Sequence, residues 1–158
     1  MKRFLILTLG VMLSVILSAI HAYAALPSGA IAFVACSGGY AFNGQTGLTT
    51  NIVIRNLGGT IKVLDVRIYN ESGTLLKSYS ASNPPPGFSM DLSGLKMTAL
   101  SGQAVFGTAT IGRVTTVIRY QNVTSPPASI SEALITATEI DMNQGSVVSR
   151  SSVVCRGA

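Results

Sequence analysis

Apolar and polar residues alternate with a period of two along most of this chain, and clusters of Gly, Pro, Asn and Ser separate the alternating runs. That period places every second side chain on one face of an extended backbone, the pattern of a half-buried β-strand. It predicts strands over 30–36, 49–56, 60–70, 74–80, 88–92, 103–111, 114–121, 133–141 and 147–155. No run combines helical spacing with caps. Ser129-Ile130-Ser131-Glu132 loosely matches a capping box and allows one short helical turn around Ser131.

The punctuation predicts tight reversals. Asn56-Leu57-Gly58-Gly59 reads as a hairpin link, with glycine available for positive φ. Asn70-Glu71-Ser72-Gly73 fits a type I turn followed by a left-handed glycine. Ile111-Gly112-Arg113 reads as another reversal, and Met142-Asn143-Gln144-Gly145 joins the last two strands. Ser37-Gly38-Gly39-Tyr40 reads as a loop. Within 60–70 the alternation changes phase: Ile61 and Val63 point one way, Leu64, Val66 and Ile68 the other. Either a bulge near Val63 or a strand start buried on both faces accounts for it.

Proline removes a ladder donor, so Asn83-Pro84-Pro85-Pro86-Gly87 is an edge or a crossover carrying the chain between sheets. Ser125-Pro126-Pro127 is a second such link. Many short strands with Gly/Pro turns predict an all-β fold: an antiparallel β-sandwich of Ig-like architecture with about eight strands. A small closed β-barrel is the alternative. Its core is aliphatic, because the chain has no Trp and few aromatics.

The N-terminus follows a different pattern. Lys2 and Arg3 precede an apolar run from Phe4 to Ile20, and Ala22-Tyr23-Ala24 forms an A-x-A site. Residues 1–24 therefore read as a secretory signal cleaved between Ala24 and Ala25, leaving one domain over 25–158. The apolar run lies at the short limit for spanning a bilayer. Phe33-Val34-Ala35-Cys36 faintly resembles a lipobox but lies too far beyond the apolar run. The expectation is a secreted or periplasmic protein with no membrane insertion after cleavage.

Cleavage also removes His21, the chain's single histidine. The two cysteines, Cys36 and Cys155, end the first and last apolar runs of the mature chain. In an exported protein they are expected to bond, fastening the first strand to the last. No CxxC and no histidine is present to activate a thiolate.

Little else supports chemistry. The whole chain carries eleven Lys and Arg against six Asp and Glu, dispersed without a run of like charge, which argues against nucleic acid. Glu139 and Asp141 share a strand face and form the one close acid pair. They could serve a carboxylate hydrolase or, with Asn143, a calcium site, but a solvated strand end beside a turn is the expected role. Lys77-Ser78 and Lys96 match no Ser/Lys spacing, and Ser37-Gly38-Gly39-Tyr40 lacks a P-loop's lysine and helix. Asn70-Glu71-Ser72 and Asn122-Val123-Thr124 are sequons, relevant only in a eukaryotic secretory pathway. Neither a cofactor nor a metal is expected.

Gly145 precedes alternating Val147, Ser149, Ser151 and Val153. This tail resembles that of chaperone–usher pilins and spore-coat-U-like secreted domains, where a glycine precedes a final strand used in assembly. The chain departs from the pilin pattern at Gly157, where a penultimate tyrosine belongs, and at Cys155 within the final strand. The expected function is a non-catalytic binding or assembly module whose partners are other exported proteins. A fibre or coat subunit using strand exchange is the alternative.

Overall fold

The structure is a computed structural model and describes residues 26, 28–124 and 133–157. The signal segment with its site between Ala24 and Ala25, the Ser125-Pro126-Pro127 link and the turn at Ser131 lie outside those residues. Ten strands carry the alternation: β1 (Ile31–Phe42), β2 (Gly47–Asn56), β3 (Thr60–Asn70), β4 (Leu75–Ser80), β5 (Asp91–Ser93), β6 (Met97–Ser101), β7 (Ala109–Asn122), β8 (Ala133–Asn143), β9 (Ser146–Val154) and β10 (Arg156–Gly157). A one-turn helix, α1 (Gly102–Phe106), separates β6 from β7.

All pairings are antiparallel, and hydrogen bonding runs in the order β4-β3-β7-β1-β2-β8-β9. β1 and β2 share only two pairs, Ala41 with Leu48 and Phe42 with Gly47, and the sheet folds over at that corner. One layer holds β4 and β5 along the edge of β3, then β7, β1 and β10. The other holds β6, β2, β8 and β9. Val34, Ile61, Val66 and Ile118 from the first layer pack with Ile52, Ile54, Leu100 and Ile135 from the second. The fold is thus an all-β antiparallel sandwich with an aliphatic core. Among the described residues β4 and β9 terminate the pairing order without meeting, so these strands close no barrel.

The corner depends on glycine. Gly47 has φ +123°, and a Cβ there would lie 1.9 Å from the Ala41 carbonyl oxygen. Next to it, Ser37-Gly38-Gly39-Tyr40 is continuous β1 rather than the expected loop. A Cβ on Gly38 or Gly39 would come within 2.5 Å of Thr50 or Leu48, so these glycines mark close approach of β2. The Thr50 hydroxyl accepts from the Gly39 N–H and donates to its carbonyl, both at 2.9 Å.

Several other expectations are corrected. Ile111-Gly112-Arg113 is not a reversal. β7 runs through it, and the register shift opposite Tyr40 and Ala41 is absorbed with Gly112 at φ +89°. The strand expected over 103–111 begins instead as α1, capped by Ser101. The strand expected over 88–92 is reduced to β5, and β6 was not expected at all. In β6 the buried positions are Thr98 and Leu100 while Met97 is exposed, which blurs the apolar alternation.

Asn56-Leu57-Gly58-Gly59 is not a hairpin link; it carries the chain from β2 in the second layer to β3 in the first. Fully buried Asn56 holds this crossing beside a second one, at 94–96. Its Nδ2 donates to the carbonyls of Gly59 and Leu92, each at 3.0 Å, and its Oδ1 accepts from the Gly58 N–H. The proline-rich stretch, conversely, does not cross. β4 pairs with β3 from Asp65 to Tyr69 and β5 pairs with it from Thr60 to Lys62, so both lie along one edge. Residues 81–90 loop out between them, opposite a bulge between Val63 and Asp65. That bulge is one of the two explanations expected for the phase change. Asn70-Glu71-Ser72-Gly73 forms the expected turn, with Gly73 at φ +79° and Asn70 N–H donating to the Thr74 carbonyl.

Cys36 and Cys155 are disulfide-bonded across 119 residues of sequence. Cys155 sits where the chain leaves β9 in the second layer and enters β10 in the first. The bond therefore fastens β1 to the end of the final long strand.

Candidate functional site

β9 is the longest element exposed at every position among the described residues. Val147, Val148, Val153 and Val154 give it β-propensity, and the preceding turn gives it direction. Gln144 and Gly145 both have positive φ, 51° and 77°, the requirement of a type I′ hairpin. The turn docks on its neighbour through the Gly145 N–H, which donates to the Gln45 carbonyl at 2.8 Å.

β9 pairs only with β8 among the described residues, and its opposite edge bears no strand. All nine of its residues are exposed, Val148 and Val154 to 63% and 65%. The register shift at Asp141 and Met142 leaves Val148 as the extra residue of a bulge. Beyond it Ser149, Ser151 and Val153 face inward with Ala137 and Glu139. Arg150, Ser152 and Val154 face outward. Arg150 is the one charged residue of the strand.

The inner face of β9 borders a groove instead of the core. Ser151 and Val153 line a cavity of about 210 Å³ with Ser37, Arg113, Ala137 and Glu139. A second cavity of about 310 Å³ shares Ser37 and Arg113 and adds Gly38, Glu71, Val114 and Thr115. Arg113 from β7 and Glu139 from β8 bridge the two layers with an Nη1–Oε1 distance of 2.5 Å. On the outer face of the first layer Asp65 is held between Arg119 and Arg67.

The acid pair takes a form the sequence did not indicate. Glu139 is not a solvated strand end but an ion-pair partner, whereas Asp141, opposite Ser149, is exposed. Asn143 is exposed beside the turn, and no group of three His, Cys, Asp or Glu residues lies together among the described residues. Lys77 lies opposite Ile68 and Ser78 opposite Arg67, so they point to opposite faces of β4. Lys96 lies in the second crossing. Asn122 of the second sequon is fully buried and donates to the Leu26 carbonyl at 2.7 Å. Burial raises the phenol pKa of Tyr40, Tyr79 and Tyr120. Tyr40 donates to the Gly107 carbonyl, a structural contact. Among the described residues no helix is long and apolar enough to cross a membrane.

Sequence reasoning missed the Arg113–Glu139 bridge, because it placed Arg113 in a turn. The contact arises from how the layers stack, and no local pattern announces it.

No family model and no curated protein matches this chain. Among solved structures it is similar to Thermotoga maritima 1070, with 14% identity and a TM-score of 0.49, over 82% of this chain and 94% of that one.

Proposed function

We propose that this chain is an exported, non-catalytic β-sandwich that binds or assembles with other exported proteins at the cell surface or in the periplasm, using the free edge of β9. The observation that carries this reading is a nine-residue strand, exposed throughout and, among the described residues, paired on one side only. Such an edge presents a row of backbone donors and acceptors to an incoming strand. The signal-like leader and the disulfide support an extracytoplasmic setting. The pairing of Glu139 with Arg113 weighs against a paired-acid hydrolase. Strand exchange in a fibre is weakened for the tail as donor, since Cys155 tethers it to β1.

The test is site-specific photo-crosslinking in cells that export the protein. A benzophenone side chain at Val154, on the β9 edge, should give protein adducts in the extracytoplasmic fraction. The same group at Leu95, 79% exposed in the second crossing, should give few. Equal yields at the two positions, or none at Val154, would defeat the proposal.

A further inference from the structure

Arg113 lies opposite Gly39 in the β1–β7 ladder. Gly39 has no side chain, so the guanidinium can lie across β1. Its Nη1 is 3.8 Å from where a Gly39 Cβ would stand, and it reaches Glu139 on β8. The bridge divides the groove in two. Glu139 and Ser151 wall the cavity of about 210 Å³, and Glu71 and Thr115 wall the one of about 310 Å³. Arg113 and Ser37 line both.

The hydroxyls of this groove have no protein partner. Ser37 and Thr115 face each other across the β1–β7 ladder, as Thr138 and Ser152 do across β8–β9. Thr138 and Ser152 bond to each other at 2.7 Å. Among the described residues neither the Ser37 nor the Thr115 hydroxyl bonds to a protein group, nor does that of Ser151, which lies opposite Glu139. Glu71 carries no ion pair among the described residues.

Charge narrows the ligand. Each cavity is walled by one carboxylate and by the same guanidinium. An anion in either one meets a glutamate, and a cation meets Arg113. A zwitterion needs a guanidinium face that Glu139 already holds. A neutral molecule with many hydroxyls meets none of these obstacles, because each of its hydroxyls both donates and accepts. Glu71 and Glu139 accept from such a ligand, and the remaining Arg113 N–H groups donate to it. Ala137, Val153 and Val114 give the groove apolar wall for C–H faces. Rings edged with hydroxyls and faced with C–H groups are sugars.

We propose that the groove spanning Arg113 binds a neutral saccharide, one ring in each cavity, with Arg113, Glu139 and Glu71 holding its hydroxyls. The Arg113–Glu139 bridge fixes two of these heads before the ligand arrives, which lowers the cost of ordering them. The lining holds no aromatic ring to stack on a sugar face, so binding should be weak, in the millimolar range. The site does not use the free edge of β9 and stands apart from the function proposed above.

Titration of the whole oxidised protein, followed through its backbone amide NMR shifts, tests this. The probes are cellobiose, chitobiose, mannobiose and maltose, with alanine as a zwitterion and glucuronate as an anion. At least one disaccharide should give saturable shifts at Ser37, Arg113, Thr115 and Ser151, and none at Leu95 in the second crossing. Alanine and glucuronate should give none. Arg113→Ala should weaken binding roughly tenfold or more, through loss of charge-assisted hydrogen bonds. Thr115→Val keeps the side-chain shape, removes one hydroxyl and should weaken binding roughly threefold. Both positions are exposed, and Thr115→Val decides the matter even if Arg113→Ala fails to fold.

No saturable shift with any of the four disaccharides, shifts at Leu95 equal to those in the groove, tighter binding of alanine or glucuronate, or full affinity in both variants would each overturn the inference. Adducts at Val154 report on the β9 edge alone, so either reading can fail without the other.

Discussion

The edge formed by β4 and β5 is interrupted by residues 81–90, three of them consecutive prolines, whereas β9 runs nine residues without a proline, a lysine or an inserted loop. The first edge also sends side chains inward: Phe88, Met90 and Leu92 are buried, and the Val63 N–H donates to the Met90 carbonyl at 2.7 Å. β9 buries nothing and is held by its ladder to β8 and by Cys155 at its end. Edge strands are ordinarily blunted by prolines, charges or insertions because a bare edge pairs with whatever strand it meets. One edge here carries prolines, an inserted loop and Lys77, the other a single arginine and one bulge, so the difference reads as a division between a closed side and a more open one.

The largest expected effect concerns how the open side is anchored. Replacing Cys36 and Cys155 together by serine frees a loop of 119 residues, and chain entropy assigns that on the order of 4–5 kcal/mol. Thermal unfolding of the double variant, or of reduced protein, should show the loss. Hydrogen exchange should show β9 and β10 opening before β4 and β5. If the β4 amides exchange first, the closed side is not the firmer one.

The closed side should fail through its packing. Phe88→Ala empties a site that is 6% exposed, at a cost of about 3–5 kcal/mol. Denaturant titration measures this directly. A cost near zero would mean that the proline excursion is held by its backbone alone.

Near the open side, Glu139→Gln with Asp141→Asn breaks the bridge to Arg113. The partners are 61% and 26% exposed at their side chains, so the change should cost between about 0 and 1 kcal/mol. A larger loss, seen by urea denaturation, would make the bridge a principal tie between the layers. The smallest effect belongs to β9 itself. Val154→Thr should alter monomer stability by about 0.5 kcal/mol or less. A larger drop in the melting temperature of monomeric protein would show that the exposed valines already pack within the chain.

Legibility in the sequence differed between these regions for physical reasons. β3 is bounded as its alternation predicts, and its phase change marked a real bulge, because both follow from side-chain period along one strand. The Asn70–Gly73 turn was equally readable, since Gly73 needs positive φ. Glycines misled in two ways: Gly38 and Gly39, which let β2 approach, suggested a loop inside β1, and Gly112, at φ +89° beside a register shift, suggested a turn inside β7. β6 escaped because Thr98 goes inward while Met97 goes out. For the site, the alternation of β9 was visible but its place at the end of the pairing order was not. Strand order is decided by which layers stack, and that information is distributed over the whole chain. Likewise, nothing around Glu139 indicated that Arg113, 26 residues earlier, would meet it.

The bond between Cys36 and Cys155 also changes how the molecule would respond to mechanical load. A pull applied upstream of Cys36 and downstream of Cys155 would pass from one flank to the other through the two sulfur atoms. The segment between the two cysteines, which are 119 positions apart, and with it most of the sandwich, would lie outside the load path. Under tension the protein would behave as a short, inextensible link whose yielding requires a reductant. Reduction would release the length of the enclosed loop in one step.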